Sequence, residues 1–64
     1  MPPRTDGAFR PIADEVRDLE RARMIEAMRA SGGVRNRAAD LIEMPLRTFL
    51  TKLKRYAITA SDWR

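Results

Sequence analysis

The chain has 64 residues, with 13 Lys/Arg against 9 Asp/Glu, a net charge of +4 and no cysteine or histidine. That length holds one domain with a marginal core, for which a partner chain is a common supplement. The composition excludes disulfides, thiolate chemistry, Cys/His zinc sites and imidazole acid–base catalysis.

The positive charge is unevenly placed. Residues 1–30 hold six Arg and six Asp/Glu, a net of zero. Residues 31–64 hold seven Lys/Arg against Asp40, Glu43 and Asp62, a net of +4. Such asymmetry points to a polyanion or an anionic membrane surface; its plainer reading is an ordinary solvated face. No apolar run approaches the roughly 20 residues of a membrane span, and "MPPRTDGAFRP" lacks the apolar stretch of a signal peptide. A soluble, cytoplasmic protein is the expectation.

Residues 1–10, with two prolines, a glycine and scattered charges, read as a disordered lead-in or the end of a linker. Pro11 fits the first position of a helix, where a missing N–H costs nothing, and Asp14 and Glu15 suit the positive end of its dipole. "IADEVRDLERARMIEAMRA" then runs unbroken to Ala30, and "SGG" stops it, with Gly32 or Gly33 as the left-handed cap. Its apolar residues form two stripes. Ile12, Val16 and Leu19 share one face; Met24, Ile25, Ala27 and Met28 centre on another, more than a quarter circle away. A helix whose two halves meet different partners needs this pattern, and so does a bent helix wrapped around one core.

"VRNRAADLI" (34–42) predicts a short second helix with an apolar face of Ala38, Leu41 and Ile42. Pro45 disfavours a helical Met44, so the chain turns near Glu43–Met44 and restarts with Pro45 as first helical residue. In "PLRTFLTKLKRY", Leu46, Phe49, Leu50, Leu53 and Tyr56 recur at intervals of three and four and define a buried stripe. Arg47, Thr48, Thr51, Lys54 and Arg55 fall on the opposite face, with Lys52 at its margin. Phe49, Leu53, Tyr56 and Ile58 read as core. Helix, tight turn and helix, with cations outside the second, is the arrangement of a helix-turn-helix. Residues 59–64, "TASDWR", read as a polar tail in which Trp63 has no evident role.

From residue 19 to 58 the sequence resembles the Fis-type DNA-binding domain of NtrC-like, sigma-54-dependent transcriptional activators (bacterial enhancer-binding proteins). "LER", "GG", "RAA", "RT" and "KLKRY" carry the resemblance, in order and spacing. It implies an all-α fold over residues 11–58: a long first helix followed by a helix-turn-helix. It implies a dimer formed by the first helices, here through Ile12, Val16 and Leu19, with helix 45–56 in the major groove of an enhancer palindrome. The parent protein would add an AAA+ ATPase domain and meet sigma-54 RNA polymerase only through its other domains. The partners expected of this chain are double-stranded DNA and a second copy of itself, with nucleoid association and no membrane.

Four residues depart from the family pattern. Val34 replaces an asparagine that caps the second helix, and Glu43 the glycine of the turn. Pro45 replaces the serine that caps the recognition helix, and Leu46 an arginine that reads bases in several members. Leu46 offers no hydrogen bond and turns toward the core or, at best, a thymine methyl. Base reading then falls to Arg47 and Thr48, with Thr51 nearby. Lys52, Lys54 and Arg55 suit phosphates, as do Arg35, Asn36 and Arg37 at the dipole end of the second helix. No nucleophile–base pair, metal cluster or glycine-rich phosphate loop is present, so neither catalysis, metal nor cofactor is expected. Asp14, Glu15 and Asp18 cluster as solvated acids do at a helix start. Two other readings remain: a dimerisation or protein-interaction module with a drifted recognition helix, and a stand-alone Fis-like nucleoid protein.

Overall fold

A computed structural model describes residues 10–64; the expected lead-in over residues 1–10 lies, apart from Arg10, outside them. These residues form four helices: α1 (Ile12–Ala30), α2 (Arg35–Leu41), α3 (Leu46–Arg55) and α4 (Ala60–Trp63).

Pro11 and Pro45 are each one position earlier than expected. Both have extended backbone (φ −55, ψ 138 and φ −56, ψ 138) and stand as N-caps, so α3 covers 46–55 rather than 45–56. Proline's ring fixes φ at a value shared by helix and extended chain, and ψ decides between them. With no side-chain cap, each proline offers its carbonyl: Asp14 N–H reaches Pro11 O at 2.9 Å, and Phe49 N–H reaches Pro45 O at 2.9 Å. Val34 likewise caps α2 without a side-chain bond, while the side-chain Oδ1 of Asn36 accepts the Arg37 N–H at 3.0 Å. One of the orphan donors left by the missing cap is thereby satisfied.

Three helices end in the same way. The N–H groups of Gly33, Met44 and Ile58 reach back to Met28, Ala39 and Leu53 at 2.9, 2.9 and 3.0 Å, the long bond of a Schellman motif. The left-handed residue of each motif is Gly32 (φ 67), Glu43 (φ 51) and Ala57 (φ 52). Glu43 and Ala57 thus hold a left-handed backbone that favours glycine, and the sequence reading did not anticipate Ala57.

Met24, Ala27 and Met28 of α1, Ala38 and Ala39 of α2, and Phe49 of α3 form the buried core. The two alanines let α2 lie close against α1. Ile42, Met44, Leu53, Tyr56, Ile58 and Trp63 pack around it, half-buried. Three residues expected inside are exposed: Leu41, Leu46 and Leu50. Leu46 and Leu50 sit at the edge of the stripe centred on Phe49, where Gly33 and Arg35 and Asn36 of α2 line a groove beside them without closing it.

The first half of α1 has no such cover. Ile12, Val16 and Leu19 are 73%, 55% and 59% exposed, so the alternative of one bent helix wrapped around one core does not hold. Residues 59–64 are not a loose tail. The Asp62 carboxylate accepts the Thr59 N–H at 2.7 Å in a capping box that starts α4. Arg21 pairs with Asp62 at 3.5 Å, and Arg29 donates to the Asp62 carbonyl at 3.4 Å, tying α4 to α1. The Trp63 ring lies over Gly33, where an added Cβ would stand 2.6 Å from it.

Candidate nucleic-acid interface

The Schellman turn after α2 and the extended Pro45 aim α3 across α2, in the arrangement of a helix-turn-helix. Phe49 anchors α3 in the core. One face of α3 is thereby fixed inward, and Arg47, Thr48, Thr51, Lys54 and Arg55 stand exposed on the other. The Thr51 hydroxyl donates to Arg47 O at 3.0 Å. Its proton is engaged, so toward a base edge it can only accept. Arg35, Asn36 and Arg37 are exposed at the start of α2; Arg35 and Asn36 line one groove with Leu46 and Leu50, while Arg37 lines a separate cleft with Asp40 and Leu41.

Lys52 departs from the expected phosphate role. Its ammonium donates to the Glu20 carboxylate of α1, which also accepts the Tyr56 hydroxyl, and the Lys52 side chain is only 25% exposed. Those two bonds, from Lys52 first and Tyr56 second, hold the Glu20 carboxyl below its usual range. The same bond to Glu20, with burial, raises the Tyr56 phenol. Lys52 therefore fastens the C-terminal half of α3 to α1. Sequence reading missed Glu20, because partners 32 and 36 residues away leave no helical periodicity to find.

Five cations of α2 and α3 remain. Among the described residues, no carboxylate lies within ion-pair distance of Arg35, Arg37, Arg47, Lys54 or Arg55. Arg47 in the first turn of α3 is placed as base-edge recognition requires, and Lys54 and Arg55 in its last turn suit phosphates. A family model described as bacterial regulatory protein, Fis family, matches residues 15–56. The chain belongs to the Fis family of bacterial regulatory proteins. Membership points to a DNA-binding regulatory role and identifies α2–turn–α3 as the helix-turn-helix of this Fis-family domain. No curated protein and no solved structure gives a significant match. Among the described residues, no helix is long and apolar enough to cross a membrane, and no group of acidic side chains is placed to hold a metal ion.

Proposed function

We propose that this Fis-family domain binds DNA for an NtrC-like, sigma-54-dependent activator, as a homodimer that sets two copies of α3 into the major groove of an enhancer palindrome. The unpaired cations of α2 and α3, gathered around an exposed recognition helix, carry this reading. In such a complex Arg47 reads a base edge near the helix N-terminus, and Lys54, Arg55, Arg35 and Arg37 hold phosphates. The exposed Ile12, Val16 and Leu19 supply the apolar face for the partner's α1, and half-sites fall about 34 Å apart.

The test is a titration of the chain on random and selected duplexes at several salt concentrations. Log affinity should fall against log salt with a slope of about −0.9 per phosphate contacted. A salt-independent affinity would favour the protein-interaction module instead. Sedimentation should show a concentration-dependent dimer that Leu19→Asp converts to monomer. For the parent activator, a reporter placed downstream of the selected palindrome should need sigma-54; activation without it overturns that assignment.

A further inference from the structure

We infer that Leu46 and Leu50 form a thymine-reading patch, so that each half-site carries a thymine whose C5-methyl packs against them beside the base read by Arg47. This rests on the DNA-binding reading and adds a base preference to it. Leu46 is the first residue of α3 and Leu50 lies one turn on, so their side chains are neighbours on one face. They are 43% and 37% exposed, although each sits at the border of the helix's apolar stripe. The groove they line is shared with Arg35, Asn36 and Gly33, and Lys54 lines the next cleft along Leu50. Among the described residues, no carboxylate lines either cleft.

The surroundings choose the occupant. Exposed Leu41 of α2 lies in a cleft with both Arg37 and Asp40, so its setting has no net charge. Among the described residues, the charged side chains that line the clefts beside Leu46 and Leu50 are the cations Arg35 and Lys54, which suits an apolar group carried on a polyanion. In the major groove, thymine's methyl is that group: it alone gives a base edge an apolar projection. The N-terminal residues of a recognition helix are the ones that approach base edges, and Leu46 opens α3. Arg47 follows it directly, so one turn of α3 presents a hydrogen-bonding reader and an apolar reader side by side.

The experiment removes the methyl from the DNA rather than the side chain from the protein. A duplex is selected from a random pool with the 64-residue chain, and each thymine of its half-sites is replaced in turn by deoxyuridine. At one or two positions the loss should be about fourfold per half-site, the worth of one buried methyl group. In Leu46→Ala, whose exposed site leaves the core intact, thymine and uracil should bind alike at those positions. Wild-type binding that is indifferent to uracil everywhere overturns the proposal while leaving DNA binding standing. A thymine preference that survives in the Leu46→Ala/Leu50→Ala double variant also overturns it, because DNA shape then carries the preference. If no duplex binds at all, the DNA-binding reading itself falls, and the patch belongs to a protein partner.

Discussion

Along α1, Arg17, Arg21 and Arg23 each lie within 3.5 Å of a carboxylate; along α3, among the described residues, only Lys52 does. The apolar residues are arranged in the opposite sense. The first half of α1 leaves Ile12, Val16 and Leu19 in solvent, whereas α3 buries Phe49 completely. Among the described residues, α1 pairs three of its four arginines with carboxylates and leaves the apolar stripe of its first half uncovered. The third helix, α3, covers the centre of its apolar stripe, with only Leu46 and Leu50 exposed at the edge, and leaves Arg47, Lys54 and Arg55 without a carboxylate partner. A helix with paired charges and bare hydrophobes suits another protein surface, and one with the reverse pattern suits a polyanion. On the proposed function the two helices face different partners, and single substitutions should separate them.

The largest effect should come from exchanging like for like across the comparison. Phe49→Ala removes a fully buried ring from a core of six buried residues and should cost about 3–5 kcal/mol, enough to unfold a domain this small. Leu19→Ala should change the stability of the isolated monomer by only about 0.5 kcal/mol or less. Chemical denaturation of both, at a concentration where sedimentation shows monomer, checks the pair. Comparable losses would mean that Leu19 belongs to the monomer's own core.

The next effect lies on the DNA side. Arg47→Ala should cost about 1–3 kcal/mol on the selected palindrome and much less on scrambled DNA at equal salt. Equal losses on both would make Arg47 a phosphate holder, and specificity would have to arise elsewhere on α3 or from DNA shape.

How far the sequence alone carried the comparison depends on distance along the chain. Phe49, Leu53 and Tyr56 were legible because helical periodicity is a local signal. The break between the two stripes of α1 was legible for the same reason. Leu46 and Leu50 were misplaced because periodicity gives a direction and not a cover, and the start of α2 lines the groove beside them without closing it. The pairing of Lys52 with Glu20 depends on how α1 crosses α3, which no local pattern contains. Trp63 is a different case. Thr59 and Asp62 have the spacing of a capping box, so the start of α4 was signalled, but the fit of the indole over Gly33 was not.

Lys52 and Lys54 sharpen the contrast within α3 itself. Lys52→Ala strips Glu20 of a bond in a half-buried site and should cost about 1–2 kcal/mol of stability while leaving the salt slope of DNA binding unchanged. Lys54→Ala should do the reverse, with stability within about 0.5 kcal/mol and the slope reduced by about one contact per subunit. The Glu20 cluster also predicts a pH dependence. A carboxyl held below its usual range in the folded chain contributes stability that is complete above that range and is lost as the pH falls through the folded value. The raised Tyr56 phenol contributes stability that is complete below the ordinary value of 10.0 and is lost as the pH rises through its higher folded value. Urea denaturation of wild type and Glu20→Gln across this range should show the largest difference in the middle. A constant difference down to strong acid would mean that the Glu20 charge contributes nothing.

The smallest effect concerns how the two helices end. Both close with a Schellman motif, but α1 uses Gly32 at φ 67 and α3 uses Ala57 at φ 52. In the left-handed region an L-residue's Cβ crowds the following carbonyl, at about 1–2 kcal/mol, while glycine's greater freedom in the unfolded chain costs about 0.5–1 kcal/mol. The difference favours glycine by a fraction of a kcal/mol to about 1 kcal/mol. Nothing lies within 4 Å of a Cβ built on Gly32, so Gly32→Ala isolates the backbone term with no clash. It should lower the melting temperature by a few degrees, and Ala57→Gly should raise it by a similar amount, given about 4–8 °C per kcal/mol for a domain of this size. Ala57 follows the recognition helix and is remote from Arg47 at its other end, so the affinity of Ala57→Gly for DNA should not change. Unequal shifts would show that the neighbours of Ala57, Tyr56 and Ile58, impose a packing constraint on α3 that Gly32 does not meet on α1. Equal and opposite shifts would show that the two helices differ in what they face and not in how their ends are held.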